Sequence, residues 1–209
     1  MDTLQNIFKD FENHLMSDEK PSHYFNKIFK EKNISHQYPF TMLNNLKKVD
    51  QSPKHHPEGN VWNHTMLVVD RAAMKKEKSS NPKVFMWSAL LHDLGKVPAT
   101  KVRKGRITAY DHDKFGEKLS RDFLTVFDVE EDFIHRVSKM VRWHMQILFV
   151  VKDLPYADIE KMLNDIHLED MALLSLCDRL GRGPATEEKV TLEEKNVEMF
   201  LQKCRAFKG

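Results

Sequence analysis

Glycine is scarce in this chain, at 7 of 209 residues, and a chain so poor in the residue that tolerates tight turns is expected to be rich in helix. Cysteine is scarcer still. Cys177 and Cys204 are the whole complement, both in helix-patterned segments, which excludes a disulfide framework and points to a reduced, cytoplasmic compartment. No apolar run approaches the roughly 20 residues that span a bilayer, so a membrane partner is not expected. Nor is there an excess of one charge: 33 basic against 31 acidic residues leave a net +2, which argues neither for nor against nucleic acid. The opening stretch MDTLQNIFKDFENHL carries acids early and alternates apolar with polar residues, as an amphipathic helix does and a signal peptide does not. What the chain does have is histidine, 11 of them, enough to ask whether several converge on one place.

Nearly every readable segment has helical period. Leu4, Ile7, Phe8, Phe11 and Leu15 form one stripe; Pro21 starts a second helix with Tyr24, Phe25, Ile28 and Phe29; a third short helix follows Pro39. The stretch from Asp50 to Asn60 is a turn-rich loop, and Asn60 or a neighbour caps a helix from Val61 to about Lys78. Asn81-Pro82 opens another helix that ends at Gly95. The one credible β element, Lys101 to Thr108, turns at Lys104-Gly105 as a small hairpin. Helices follow from about Asp113 to Phe127, Glu130 to Ile147, Tyr156 to Asp165 and Leu168 to Leu180, and a last one begins at Thr191, with Thr191 and Glu194 as a capping box. Met74, Met86 and Met162 read as core. The expected architecture is an all-α, single-domain helical bundle with one short β-hairpin: residues 1–50 a helical extension packed on the core, 51–190 the core, and 191–209 a C-terminal helix.

Helical wheels bring the polar residues together. Phe133, Val137, Met140 and Val141 form a stripe whose next position is His144, and Met171 and Leu174 lead at spacings of three and four to Asp178. His92 and Asp93 end the stripe of Phe85, Ala89 and Leu90, and His64 sits early on the helix with Met66, Leu67 and Val68. An ionised carboxylate on a core-facing stripe is costly unless paired or bound to a metal. Four separate helices therefore aim imidazole or carboxylate groups inward, as helical domains do when they assemble metal centres. Taken singly, each has a plainer reading: His144 as a core histidine donating to a carbonyl, Asp178 as a partner of Arg179 or Arg182, His92-Asp93 as a chance dipeptide. Cys177 lies about 100° around the helix from Asp178 and reads as packing.

The order His64, His92-Asp93, Asp178 resembles the HD-domain metal-dependent phosphohydrolase superfamily. ALLHDLGK (Ala89–Lys96) is a specific form of its central motif, and HPEGNVWNHT (His56–Thr65), YDHDKFG (Tyr110–Gly116), MVRWHM (Met140–Met145) and CDRLGRG (Cys177–Gly183) resemble the HD domain of bacterial tRNA nucleotidyltransferases. The resemblance spans roughly residues 55–185. The 54 residues before it contain no glycine and no Gly-Ser pair with paired acids, so it implies the hydrolytic half of such proteins without a nucleotidyltransferase head. By resemblance, His64, His92, Asp93 and Asp178 match the family's four metal ligands, and His112 and His144 match histidines that serve a second metal or the phosphate.

Nitrogen and oxygen donors without thiolate suit Mn, Fe, Ni, Co, Zn or Mg. Two readings stay open: a two-metal site with Asp93 as the bridge, or one metal with His112 and His144 holding the phosphoryl oxygens or protonating the leaving group. Lys96 reads either as a solvated lysine in a loop past Gly95 or as a charge that neutralises the transferring phosphoryl group. Arg179 and Arg182 are candidates for substrate phosphate contacts or for helix-surface salt bridges. His55 and His56 read as site-edge loop residues, and the basic hairpin with Lys101, Arg103, Lys104 and Arg106 either is a solvated tip or grips an RNA backbone or nucleotide phosphate. The expected function is divalent-metal-dependent phosphatase or phosphodiesterase action on a nucleotide or RNA-end phosphate ester, such as a 2′,3′-cyclic or 2′-phosphate. The alternative is a non-catalytic, metal-containing nucleotide- or RNA-binding module. The sequence leaves the oligomeric state open.

Overall fold

The structure, a computed structural model, describes residues 3–207. Met1 and Asp2, at the head of the first amphipathic stretch, and Lys208 and Gly209, at the end of the last, lie outside the described residues. The chain is all-α with one hairpin. Its helices are α1 (Leu4–Ser17), α2 (Pro21–Ile28), α3 (Lys32–Ser35), α4 (Phe40–Asn44), α5 (Val61–Ala73), α6 (Pro82–Leu91), α7 (Lys96–Ala99), α8 (His112–Leu124), α9 (Glu131–Trp143), α10 (Gln146–Val151), α11 (Ile159–Asp165), α12 (Leu168–Leu180) and α13 (Glu187–Phe207). Strands β1 (Thr100–Arg103) and β2 (Arg106–Ala109) pair antiparallel, with Val102 opposite Ile107 and Arg103 opposite Arg106. Among the described residues no helix is long and apolar enough to cross a membrane.

Helix α6 is the axis of the fold. Asn81 caps it by accepting from the Val84 amide, Pro82 fits its first turn, and every residue from Val84 to Leu91 is buried. A helix apolar on all sides belongs inside other helices. Around it pack α1, α5, α9 and α12. On the N-terminal side Phe8 stacks on Trp87 with centroids 4.5 Å apart, and Phe11 meets Phe25 at 5.0 Å and Phe40 at 5.1 Å, so α1 packs on α6 and joins it to side chains of α2 and α4. Met86 and Met162 are in the core as expected, but Met74, at the exposed C-terminal end of α5, is 72% exposed.

Several boundaries differ from the sequence reading, each for a local reason. The expected helix from Glu130 to Ile147 breaks after Trp143 and resumes at Gln146, with His144 at the break. The last helix starts at Glu187, where Thr186 Oγ1 accepts from the Lys189 amide; Thr191 and Glu194 lie inside it and form no cap. Leu91, rather than Gly95, ends α6, and Lys96 begins α7 instead of standing in a loop.

Gly95 sits in the turn between α6 and α7 against the first turn of α8. A Cβ there would lie 1.8 Å from the His112 carbonyl oxygen and 2.5 Å from the Gly116 amide nitrogen. Its φ is ordinary, so what this position demands is the absence of a side chain. Gly95→Ala is expected to push α8 away from the α6 end and to cost at least about 1–3 kcal/mol, the usual range for overpacking, read as a lower urea midpoint at unchanged m. An unchanged midpoint would show that this backbone contact does not position α8.

Candidate metal centre

Helix ends place the polar groups. His92 is the residue after α6 and His144 the residue after α9, where the last carbonyls of a helix have no amide partner. The histidines use them: His92 Nδ1 donates to Ala89 O at 2.9 Å and His144 Nδ1 to Val141 O at 2.6 Å. His112, first in α8, does the same with Ala109 O at 2.7 Å, at the end of β2. A carbonyl can only accept, so each Nδ1 carries the proton and each Nε2 presents a bare lone pair. The Nδ1 donor fixes the ring, the arrangement that orients metal-ligating imidazoles.

These three bare nitrogens, together with His64 Nε2, which donates to Asp178, face one carboxylate. Asp93 is 1% exposed; its Oδ2 lies 3.3 Å from His92 Nε2 and 3.7 Å from His64 Nε2, and its Oδ1 lies 3.6 Å from His112 Nε2 and 3.8 Å from His144 Nε2. Asp178, on α12, joins the first group through His64 Nε2 at 2.9 Å. Two sets of donors therefore share Asp93: His64, His92 and Asp178 on one oxygen, His112 and His144 on the other.

These donors fit a cation. His92 Nε2 is buried with no hydrogen-bond partner. His112 Nε2 and His144 Nε2 stand 3.1 Å apart, and because both rings are protonated at Nδ1 that approach sets lone pair against lone pair. Burial pushes His112 down to about 3 and also lowers His144, aided by the neighbouring imidazoles, so both stay neutral as ligands must. Burial alone would raise the carboxyls of Asp93 and Asp178, but Lys96 beside the first, and Arg182 and His64 beside the second, hold both well below the usual carboxylate range. Imidazole and carboxylate without thiolate suit a borderline or hard divalent ion. Cys177 is buried and its thiol pushed up to about 12 by desolvation, which leaves it a packing residue.

Lys96 is not a solvated lysine. It is 8% exposed, its Nζ lying 2.7 Å from Asp93 Oδ2 and donating to Gln51 Oε1 at 2.7 Å. Arg182 Nη2 donates to Asp178 Oδ2 at 2.8 Å, and Arg179 pairs with Glu193 on α13. These cations, with His55, His56 and the base of the hairpin, line a cleft of about 680 Å³ whose floor includes Asp93, His112, His144 and Asp178. The structure thus brings His64, His92, Asp93, His112, His144, Asp178 and Lys96 to one point, with Arg182 reaching it through Asp178 and Arg179 on the cleft wall.

Two residues of the site were not singled out by sequence reasoning. Gln51 holds Lys96. Glu58, in the loop before α5, has Oε1 2.8 Å from His56 Nδ1 and 3.0 Å from His64 Nδ1, behind the ring edge that faces Asp178. Burial would raise the Glu58 carboxyl, but hydrogen bonds from His56 and His64 bring it down to about 2, so a carboxylate stands behind His64 where carbonyls stand behind the other three histidines. The only sequence signal was its position between His56 and His64 in a loop leading into a ligand-bearing helix. Glu58→Gln is expected to weaken metal binding at the His64 side by about 10–100-fold, the usual effect of removing a group that orients a ligand, measured by competition with a fluorescent chelator. Unaltered affinity would assign Glu58 to loop packing alone.

The family model described as "HD domain" matches residues 61–182. Multifunctional CCA protein of Actinobacillus pleuropneumoniae serotype 5b is 33% identical over 93 residues, 44% of this chain and 22% of that protein. A-adding tRNA nucleotidyltransferase of Deinococcus radiodurans is 33% identical over 114 residues, 50% of this chain and 24% of that one. Multifunctional CCA protein of Aromatoleum aromaticum is 48% identical over 48 residues, 23% of this chain and 11% of its own length. The chain thus spans less than a third of the length of the curated relatives it matches.

Proposed function

The chain belongs to the HD domain family, a superfamily of metal-dependent phosphohydrolases, and from that premise we propose that it hydrolyses a phosphate ester at a nucleotide or RNA end, with two divalent ions sharing Asp93. The observation that supports this reading most is the division of the Nε2 atoms between the two oxygens of one buried carboxylate. His64, His92, Asp93 and Asp178 would hold one ion; Asp93, His112 and His144 the other. When bound, such ions supply Lewis acidity, polarising a phosphoryl oxygen and lowering the pKa of water.

The chain's own residues do the rest. Asp93, fully ionised, would help to hold the ions and orient the attacking water. Lys96, fixed between Gln51 and Asp93, puts an ammonium at the cleft floor where charge builds on the phosphoryl oxygens. Arg182 and Arg179 line the approach, their planar forks suited to phosphate, while Asp178 and Glu193 keep them in place. The cleft is large enough for a nucleotide-sized end group. The relatives named for CCA addition and for tRNA nucleotidyl transfer favour an RNA end, with a 2′,3′-cyclic or 2′-phosphate as the ester.

Metal-loaded protein is expected to hydrolyse bis-p-nitrophenyl phosphate and 2′,3′-cyclic AMP. The combined change His92→Ala with Asp93→Ala should lower both rates by at least about a hundredfold, in line with losing a principal electrostatic group, and should strip the metal. Turnover that survives this double change, or survives complete chelation, would refute the hydrolase reading. Metal and ligand binding without turnover in the wild type would leave the binding-module reading instead.

A further inference from the structure

The hairpin concentrates exposed positive charge beside the cleft. From Thr100 to Tyr110 there is no acidic residue, and Lys101, Arg103, Lys104 and Arg106 are all exposed. Some other exposed cations are paired, Lys114 with Asp111 and Arg136 with Asp132. Among the described residues these four form no ion pair. Four like charges within six residues repel one another, and among the described residues no carboxylate pairs with them.

β2 packs against α7 and is partly buried, whereas β1 is exposed along most of its length. By register, Thr100 and Ala109, then Val102 and Ile107, share one face, and Thr100, Ile107 and Ala109 line the cleft. Val102 continues that face away from the cleft and is 74% exposed. Tyr110, between the hairpin and His112, is 66% exposed, with the Arg103 guanidinium 5.7 Å from its ring centroid. The hairpin thus exposes an apolar side chain, an aromatic ring and four cations without carboxylate partners side by side. Across the cleft Lys54 and Lys152 also have no carboxylate partner among the described residues.

Cations spaced along an edge, beside a ring and an apolar face, match a chain that alternates phosphates with flat bases. We propose that the hairpin and Tyr110 form a track for single-stranded RNA, Tyr110 stacking on a base and the four cations following the backbone, so that the end of the strand enters the cleft over Asp93. This rests on the phosphoesterase reading for its direction into the site, but binding to the track requires no turnover. A duplex would present phosphates without free base faces, so stacking distinguishes the two.

The test uses the full chain and a fluorescein-labelled single-stranded oligoribonucleotide, followed by anisotropy across a salt series. The wild type is expected to bind, with a negative log–log salt slope. The combined change Lys101→Ala, Arg103→Ala, Lys104→Ala and Arg106→Ala should weaken binding at least about tenfold and flatten the slope by about 0.7 for each phosphate that is no longer neutralised. Tyr110→Ala should weaken it about five- to a hundredfold, the range for one stacked base, with little change in slope. Circular dichroism checks that each variant is folded. Affinity unchanged in the four-residue variant would overturn the track. Equal affinity for duplex DNA with Tyr110→Ala silent would overturn it too, in favour of a general polyanion surface. Wild-type protein that binds the RNA but leaves bis-p-nitrophenyl phosphate intact would refute the phosphoesterase reading and uphold the track.

Discussion

A carboxylate stripped of water must be surrounded by positive charge or donors, and Asp93 imposes that constraint on the whole molecule. It is 1% exposed and ionised, at the end of the most deeply buried helix. Left unpaired, such a group would cost several kcal/mol. Lys96 on α7 supplies that charge directly, and the Nε2 atoms of His64 on α5, His112 on α8, and His92 and His144 at the ends of α6 and α9 stand around the carboxylate where a cation held among them would supply the rest. The bundle can be described as the means of delivering these groups to one point, and Gly95 as the place where two of those elements touch backbone to backbone so that His112 reaches it.

The histidines satisfy two needs with one ring. Helix C-termini leave carbonyls without amide partners, and three imidazoles pair with such carbonyls, or with the one at the end of β2, through Nδ1. That bond fixes ring angle and tautomer together, so the opposite nitrogen arrives at the centre unprotonated. His64 differs: it lies in the first turns of α5, with no free carbonyl in reach, and the Glu58 carboxylate stands behind it. The difference has a consequence for charge. The His112–His144 side carries neutral rings, whereas the pKa of His64 is raised, burial being outweighed by its bonds to Asp178 and Glu58.

Much of this was legible in sequence because the helical period carries three-dimensional information. Positions 133, 137, 140, 141 and 144 define one face of a helix whatever surrounds it, and the same holds for the stripe ending at Asp178. What periodicity does not encode is where a helix stops for the sake of a side chain. The chain from Glu130 to Ile147 reads as one helix, yet it breaks at His144, whose ring takes the carbonyl of Val141. Thr191 and Glu194 have the spacing of a capping box, but Thr186 reaches an amide first and the helix begins a turn earlier. Met74 falls on an apolar stripe beyond the point where α5 ends. Interactions made by loops were the least legible. Gln51 and Glu58 lie in a segment with no period, and their roles depend on where α5 and α7 carry His64 and Lys96.

The division of donors between the two oxygens of Asp93 is most directly tested by counting metal ions per chain, by inductively coupled plasma mass spectrometry, in the wild type, in His112→Ala with His144→Ala, and in Asp93→Ala. A centre in which Asp93 joins two donor sets gives two ions per chain, then one, then none. A single ion in the wild type that persists when His112 and His144 are removed, or two ions retained without Asp93, would contradict it.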